Sequence, residues 1–327
     1  MALLSRPQAR SRRLVSAWGG VYRRSAMQDR RRRPRRRRVW LWVLLVAIAL
    51  LLWCRREAPL TLGTFNIQTF PHPKTLDEAV AAAIAELDAD AFAVQEIRDP
   101  GRFYATLDRA SALTGRRYAA ALTNSCRDNS KGRLSVGVVY DTARLELKTH
   151  RSLSKGDVCP TGQAPALLAS LQTSAGRTLT LVSVHFDSGG EERRFEQRKQ
   201  QWRWLTSILP ALREEFGDVV VAGDFNTTGY LVENGPERRF IDETVEHHAL
   251  QLPTGALGCS EYWRPDSKVR RWEPSLLDHF LGSQELSFGT PEVLGMCAAL
   301  ACEEQTTEPP TMGSVSDHCP VRVELRE

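Results

Sequence analysis

The most informative stretch of this sequence is Val219-Val220-Val221-Ala222-Gly223-Asp224-Phe225-Asn226. Its first four residues are apolar and mostly β-branched, which predicts a buried strand, and Gly223 admits a turn of the backbone behind them. Asp224 and Asn226 are two positions apart, so both side chains point to the same side of an extended segment. A carboxylate there can activate a water molecule while the amide holds a phosphate. Alone, the stretch is also compatible with an Asx turn that ends a strand.

Four further segments place polar side chains at the ends of predicted strands. They are Thr64-Phe65-Asn66-Ile67, Val94-Gln95-Glu96, Val184-His185-Phe186 and Ser316-Asp317-His318. Each by itself is compatible with an ordinary strand end or turn. Five such segments in order predict one site for phosphodiester hydrolysis, because that reaction needs charge neutralisation on the phosphate, an oriented water and a proton for the leaving oxygen.

Two of these residues suit a divalent metal ion. Mg²⁺ prefers oxygen ligands, takes few of them from the protein and keeps waters in its remaining positions. Glu96 follows an apolar strand and is the expected carboxylate ligand, with the amide of Asn66 supporting the ion. Mn²⁺ and Ca²⁺ are alternatives with the same oxygen chemistry.

Histidine and aspartate residues supply the second half of the predicted site. A carboxylate beside an imidazole favours the charged ring, which can stabilise phosphate oxygens or protonate a leaving group. His185 and His318 are the candidate imidazoles, and adjacent strand residues face opposite sides, so Asp317 is expected to serve His185 or the metal. Asp278 lies in an apolar strand, where an unpaired charge is costly, and is expected to orient a histidine. His279 faces the other way and is expected to be structural.

Apolar periodicity predicts alternating strands and helices. The strands are expected at Leu60–Phe65, Ala91–Gln95, 134–138, Arg177–His185, Val219–Ala222, Ser275–Gly282 and Pro320–Leu325, and the helices at 75–88 and 191–216. The capping box Thr75-Leu76-Asp77-Glu78 marks the start of the first helix. Strands and helices that alternate through both hairpin and crossover connections predict the α/β (α+β) class, with mixed sheets and outer helices.

Charge is divided unevenly along the 327 residues. Residues 1–54 contain 14 arginines and a single acid, Asp29, whereas residues 55–327 contain 30 basic and 38 acidic side chains, a net charge of −8. A net-negative domain lacks a broad electrostatic footprint for nucleic acid. A bound cation and a local basic groove can still admit a phosphate.

The N-terminal part resembles a targeting segment. We predict a basic, disordered cytoplasmic tail at 1–38, a transmembrane anchor or signal segment at 39–54 and an outward-facing catalytic domain at 58–327. This order corresponds to a single-pass protein of the cell membrane with a cytoplasmic N-terminus. As a helix, the apolar run would span about 24 Å, short of the roughly 30 Å bilayer core. A cleaved signal peptide and a basic nuclear or nucleic-acid-binding arm are the alternatives.

Seven cysteines are consistent with an oxidising compartment. Setting Cys54 aside leaves six, which permit fifteen pairings. Cys126 with Cys159 and Cys297 with Cys302 are the favoured pairs, because each would close a polar loop. Reduced, partly buried cysteines are the alternative.

The polar segments together resemble the endonuclease/exonuclease/phosphatase superfamily, which has the DNase I and exonuclease III fold. The resemblance covers approximately residues 60–325 and rests on the segments around Asn66, Glu96, His185, Asp224 to Asn226, Asp278, and Asp317 to His318. It implies a four-layer sandwich of two mixed β-sheets flanked by helices. It also implies a metal-dependent phosphoric ester hydrolase.

The resemblance further implies a role for each site residue. Glu96 and Asn66 would bind Mg²⁺, Asp224 would orient the attacking water, Asn226 and His185 would contact the phosphate, Asp278 would support a histidine, and Asp317 with His318 would stabilise the transition state. DNA or RNA is the first expected substrate, and a phospholipid headgroup, cleaved as by neutral sphingomyelinases or phosphoinositide phosphatases, is the alternative. Phe186-Asp187 replaces a Leu-Lys pair of nuclease-like bacterial members, which removes one phosphate-attracting charge.

Overall fold

The computed structural model describes residues 40–46, 58–123, 134–154, 159, 162–265, 268 and 270–326. The chain divides into two compact units, Met1–Arg56 and Glu57–Glu327. In the first unit, residues 40–46 are helical and exposed. Within the described ranges, no helix combines the length and the apolar character that crossing a bilayer requires. Most of the anchor predicted at 39–54 lies outside the described residues.

The second unit is built from short strands and helices that alternate along the chain. The strands are β1 (Leu60–Phe70), β2 (Ala91–Ile97), β3 (Tyr118–Thr123), β4 (Ser135–Asp141), β5 (Leu145–Ser152), β6 (Ala166–Thr173), β7 (Thr178–His185), β8 (Val219–Asp224), β9 (Leu250–Gln251), β10 (Glu261–Trp263), β11 (Glu273–Ser275), β12 (Asp278–Ser283), β13 (Ser287–Phe288), β14 (Glu292–Val293) and β15 (Val321–Arg326). The helices are α1 (Asp77–Leu87), α2 (Pro100–Thr114), α3 (Glu192–Phe216), α4 (Pro236–His247) and α5 (Gly295–Ala299), with a 3₁₀ turn at Pro253–Ala256.

Two mixed β-sheets form the centre of this unit. The first has the strand order β13-β15-β1-β2-β4-β3, and β14 also pairs with β15. The second has the order β5-β6-β7-β8-β12-β9. In each sheet one neighbouring pair is parallel, β1 with β2 and β7 with β8, and the remaining pairs are antiparallel. The mixed-sheet prediction is confirmed.

The apolar cores show how the layers stack. Leu62 of the first sheet and Leu181 of the second belong to one buried cluster, so the sheets pack face to face. Ile84 of α1 lies in a second cluster on the outer face of the first sheet. Trp202 of α3 and Ile241 of α4 lie in a third, on the outer face of the second sheet. The order helix, sheet, sheet, helix is the predicted four-layer sandwich.

Helix α1 begins later than its capping motif predicts. Its first residue is Asp77, Leu76 occupies the cap position, and the helix begins without a side-chain cap. The Thr75 hydroxyl instead accepts a hydrogen bond from the His72 backbone N–H at 2.8 Å. The predicted capping box is therefore wrong, because a local turn uses the threonine. Val80, Ile84 and Leu87 are buried as the helical spacing predicts, whereas Leu76 is 57% exposed.

Two disulfides near the C-terminus differ from the predicted pairing. Cys259 pairs with Cys302 and Cys297 with Cys319, at Cα separations of 5.5 and 6.0 Å that suit a disulfide. The predicted Cys297–Cys302 pair is wrong, since α5 directs Cys297 towards the segment before β15. Cys159 is also disulfide-bonded. Its predicted partner, Cys126, lies outside the described residues.

Strand register aligns the polar ends of the second sheet. His185 at the end of β7 lies opposite Asp224 at the end of β8, and Asp278 at the start of β12 lies opposite Asp224 on its other side. Gly223 makes this close approach possible, because its φ is +151° and a Cβ there would lie 2.1 Å from the Val184 carbonyl oxygen. A tight glycine contact between parallel strands therefore fixes the row of site residues.

We expect Gly223→Ala to destabilise the fold by about 3 kcal/mol or more. The added Cβ would clash with the Val184 backbone, and the φ of this position is strained for any residue other than glycine. Urea unfolding monitored by circular dichroism measures the change. Gly190→Ala is the matched control, since a Cβ at that position meets no atom within 4 Å. A Gly223→Ala variant as stable as the control would contradict the role given to this contact.

Candidate active site

The predicted site residues converge around one carboxylate, Asp224. Its Oδ2 atom accepts hydrogen bonds from the side-chain amides of Asn66 at 2.9 Å and Asn226 at 3.0 Å. The same atom lies 3.5 Å from His185 Nε2 and 3.8 Å from His318 Nε2. Asp224 is 1% exposed, so these groups meet away from bulk water. Asn66 on β1 and His318 just before β15 come from the first sheet, and Asp224, His185 and Asn226 come from or directly follow strands of the second.

Non-glycine residues with positive φ cluster at this site. Gln68, Thr69, Glu96 and Asn226 have φ values of 35°, 53°, 64° and 50°. The register of β1 against β2 shifts between Asn66 and Phe70, so β1 continues past its predicted end at Phe65 through an irregular segment. Such conformations cost free energy and are retained where the surroundings hold them. Here they redirect side chains into the cluster.

Glu96 lies beside His185 at the edge of the cluster. Its Oε2 atom accepts a hydrogen bond from the Thr69 hydroxyl at 2.8 Å, and its Oε1 atom lies 3.6 Å from His185 Nε2. The Asn66 Oδ1 atom accepts from the Gln68 backbone N–H at 3.0 Å. The irregular end of β1 thus orients both residues predicted to hold the metal.

His318 is paired with Asp278, as predicted, although the strand predicted at Ser275–Gly282 is interrupted at Leu276-Leu277 and Asp278 is the first residue of β12. His318 Nδ1 and Asp278 Oδ2 are 2.8 Å apart, and the Ser260 hydroxyl donates to the same oxygen at 2.8 Å. Burial disfavours the charged ring, but the carboxylates of Asp278 and Asp224 outweigh it and raise the pKa of His318 well above its usual value. These carboxylates therefore favour the charged form of the imidazole, whose Nε2 faces Asp224.

Asp317 joins the cluster through Gln68. Its Oδ2 atom accepts from the Gln68 side-chain amide at 2.7 Å. The preceding Ser316 donates its hydroxyl to the Asn66 carbonyl oxygen at 2.8 Å and accepts from the His318 backbone N–H at 3.0 Å. Burial raises the pKa of the Asp317 carboxyl. The segment before β15 is thus tied to β1, which brings the last predicted residues into the site.

Glu261 is a site residue that the sequence analysis missed. Its Oε1 atom lies 3.9 Å from His318 Nε2, and its side chain is 13% exposed. Burial raises the pKa of this carboxyl to about 8, while the His318 cation opposes the shift. Glu261 precedes Tyr262 and Trp263 rather than following an apolar run, so no strand pattern marked it. Its isolated bridge to His318 is a tertiary contact.

His279 is structural, as its direction on the strand predicts. Its Nε2 atom lies 2.8 Å from the Thr227 hydroxyl and its Nδ1 atom 3.1 Å from the Thr254 hydroxyl. Complete burial lowers the pKa of this ring to about 3. A neutral imidazole held by two hydroxyls supports the loop after β8 without entering the cluster.

The charge balance of the cluster fits a divalent cation. Five carboxylates, those of Glu96, Asp224, Glu261, Asp278 and Asp317, surround two imidazoles. Within the part of the chain that the structure describes, no three His, Cys, Asp or Glu side chains form a preformed metal cage. Mg²⁺ is usually held by one or two carboxylates and waters rather than by such a cage. Glu96 and Asn66 therefore suit this ion.

Comparison with known proteins identifies the family. A model described as the Endonuclease/Exonuclease/phosphatase family matches residues 63–318, from β1 through the His318 segment. The chain belongs to this family. Members of the Endonuclease/Exonuclease/phosphatase family hydrolyse phosphoric esters, so the convergent cluster is the candidate active site of a hydrolase. No curated protein matches the sequence.

Solved structures share the fold at low sequence identity. An endonuclease/exonuclease/phosphatase from Bacteroides vulgatus is 17% identical, with a TM-score of 0.57, covering 83% of this chain and 99% of its own. TDP2 from D. rerio, complexed with a single-strand DNA product, is 16% identical, with a TM-score of 0.58 and coverage of 83% and 100%. A mannosyl-6-phosphatase from Bacteroides thetaiotaomicron is 17% identical, with a TM-score of 0.55 and coverage of 82% and 100%. These similarities show the fold.

We expect Glu261→Gln to flatten the dependence of stability on pH. Between the ordinary pKa of 4.5 and the folded value of about 8, the folded state keeps a proton that the unfolded state has lost, so stability falls as pH rises. Glutamine removes that loss, and the variant should gain roughly 1–3 kcal/mol over the wild type at pH 8 relative to pH 5. Urea unfolding in EDTA at both pH values measures it.

Glu78→Gln is the control for this measurement, because the Glu78 side chain is 79% exposed. Its stability should follow the wild type at both pH values. If Glu261→Gln also tracks the wild type, the carboxyl does not carry the raised pKa.

Proposed function

We propose that this chain is a Mg²⁺-dependent phosphodiester hydrolase whose first candidate substrate is DNA or RNA. The proposal is carried by the surroundings of one buried atom, Asp224 Oδ2, which meets two amides and lies within 4 Å of two imidazole nitrogens. A base for water, an imidazole donor for phosphate oxygens and a cationic acid are therefore within reach of one reacting centre.

Asp224 is the proposed proton acceptor. Burial raises the pKa of its carboxyl, which makes it a stronger base than an exposed aspartate. The water oxygen attacks phosphorus while Asp224 takes one of the water protons, and the bond between phosphorus and the leaving oxygen breaks. The amide of Asn226, which also donates to the Phe186 carbonyl oxygen at 3.0 Å, orients this carboxylate.

His318 is the proposed acid. Its Nε2 proton passes to the leaving oxygen, and Asp278 stabilises the ring in its charged form before the transfer. The separation of 3.8 Å between His318 Nε2 and Asp224 Oδ2 lets the proton taken from water return to the imidazole. Water and ester thus yield acid and alcohol with no net change in the protein. His185, between Glu96 and Asp224, would contact the phosphate.

Glu96 and Asn66 are the residues that would hold Mg²⁺. The ion would supply charge neutralisation on the phosphate. Asp317 would support the metal site through Gln68. The side-chain amide of Gln68 donates to Asp317, and its backbone N–H donates to Asn66.

The nucleic-acid assignment draws on the family and the cluster, and one observation favours an alternative. Residues 55–327 carry a net charge of −8, and a polyanion is repelled by such a domain. A phospholipid headgroup diester, presented by a membrane near the proposed anchor at 39–54, avoids much of that repulsion. Headgroup hydrolysis is therefore the second candidate.

The proposed location is the outer side of a cell membrane. The disulfides Cys259–Cys302 and Cys297–Cys319 support an oxidising compartment. The arginine-rich tail at 1–38 supports a cytoplasmic N-terminus, since positive residues remain on that side. Membrane attachment itself rests on the apolar sequence at 39–54.

We expect Asp224→Asn to lower kcat for hydrolysis of methyl p-nitrophenyl phosphate by about 10²–10⁴-fold, the range for loss of a general base. The full-length wild type should lose activity in EDTA and regain it with Mg²⁺. Release of p-nitrophenolate measures both effects. Asp218→Asn is the matched control, because Asp218 lies just before the other end of the same strand and is 45% exposed.

Wild-type-like turnover by Asp224→Asn would overturn the mechanism, and full activity in EDTA would overturn the use of a metal. Parallel assays with single-stranded DNA, plasmid and sphingomyelin vesicles separate the two substrate candidates. DNA cleavage without release of phosphocholine supports the first candidate, and the reverse supports the second.

A further inference from the structure

A pocket of about 490 Å³ opens directly beside the catalytic cluster. Asn226 and Glu261 line it, and both also belong to the cluster around Asp224 and His318. A group esterified to a phosphate at the cluster can therefore extend into this pocket. Its volume lies within the range of about 300–1,000 Å³ that is typical of sites for drug-sized ligands.

The pocket offers aromatic faces and hydrogen-bond acceptors. Trp263, at the end of β10, is 43% exposed, and Phe195 and Leu277 add apolar wall. Glu192 contributes a carboxylate and Glu261 a carboxyl group. A planar ring with polar hydrogens at its edge matches such a surface, because the ring stacks on the indole while its N–H or O–H groups reach oxygen acceptors of these side chains.

Arg198 is the one cationic side chain among the described residues that line the pocket, and its N–H donors are already hydrogen-bonded within the protein. It is 1% exposed, and all five of its N–H donors have acceptors in the protein. Two of them go to the Glu237 carboxylate, at 2.7 and 3.1 Å. The others go to the Asp187 and Gly189 carbonyl oxygens and the Thr228 hydroxyl, at 3.2, 2.7 and 3.0 Å. Arg198 therefore shapes the pocket and has no donor left for a phosphate.

We propose that this pocket binds the nucleoside of the scissile diester and accepts no second phosphate on it. The inference rests on the proposed function, and it narrows the substrate to nucleotide termini and short nucleotides rather than the interior of a long strand. A second phosphate in the pocket would face the Glu192 carboxylate, and among the described lining residues Arg198, whose donors are all used, is the one cationic side chain. A small cationic alcohol would suit the carboxylates but would leave most of 490 Å³ unfilled.

The test compares diesters that share one leaving group, p-nitrophenolate. The full-length protein is assayed with thymidine 5′-(p-nitrophenyl phosphate), its 3′-phosphorylated form, p-nitrophenylphosphorylcholine and methyl p-nitrophenyl phosphate. We expect the unphosphorylated thymidine ester to have the highest kcat/KM. Trp263→Ala should lower the ratio of kcat/KM for the thymidine ester over the methyl ester by about tenfold, the order of one lost base–aromatic stack.

Two variants make this test specific. Trp263→Phe keeps an aromatic face and should retain most of the ratio. Tyr104→Ala is the matched control, because Tyr104 on α2 has the same exposure of 43% and does not line the pocket. It should leave the rates with all four esters at the wild-type level.

The inference is overturned if the ratio survives Trp263→Ala, if the 3′-phosphorylated ester is the better substrate, or if the choline ester is preferred. A wild type that hydrolyses none of the esters would overturn the proposed function instead. Quenching of tryptophan fluorescence by thymidine 5′-monophosphate then tests nucleoside binding to the pocket independently of hydrolysis. Quenching that disappears in Trp263→Ala supports nucleoside binding, and a wild type without quenching contradicts it.

Discussion

The candidate site depends on the placement of Asp224 between two neighbouring strands. The parallel register of β7 with β8 puts His185 beside it, and the antiparallel register of β8 with β12 puts Asp278 on its other side. Asp278 in turn pairs with the His318 ring, and its carboxylate stabilises the charged imidazole although the ring is buried. A shift of either register by one residue would turn these side chains to the opposite face. Sheet hydrogen bonding therefore sets the positions of His185, Asp224 and Asp278 in the cluster.

Polar contacts also fix one sheet against the other. Asn66 of the first sheet donates to Asp224 of the second, and at the buried base of the cluster the Gln95 amide donates to the Ser183 hydroxyl at 3.2 Å. The Ser183 hydroxyl itself donates to the Val94 carbonyl oxygen at 3.2 Å. Apolar packing between sheets tolerates small sliding motions, whereas hydrogen bonds of this kind have one favoured geometry. The site residues of the first sheet and those of the second are thus held in a single relative position.

The sequence predicted those parts of the structure that local patterns encode. Apolar runs that end in polar residues located β1, β2, β7 and β8, and the buried aspartate of β12 correctly indicated a histidine partner. Local pattern failed where a distant segment decides the outcome. Cys297 pairs across the fold with Cys319, and Glu261 enters the site through a bridge to His318. The irregular end of β1 also escaped prediction, because positive φ at Gln68 and Thr69 is imposed by the contacts they make with Asn66, Glu96 and Asp317.

The Cys297–Cys319 disulfide restricts local opening of the C-terminal strand. Chain ends open most readily, and β15 is the final strand of the described chain. Cys319 directly follows His318. Local opening of β15 would therefore be limited by the Cys297–Cys319 disulfide at the residue next to the imidazole. Even if the end of β15 opens, the disulfide keeps the backbone beside His318 in place, and the proposed acid stays directed at the site.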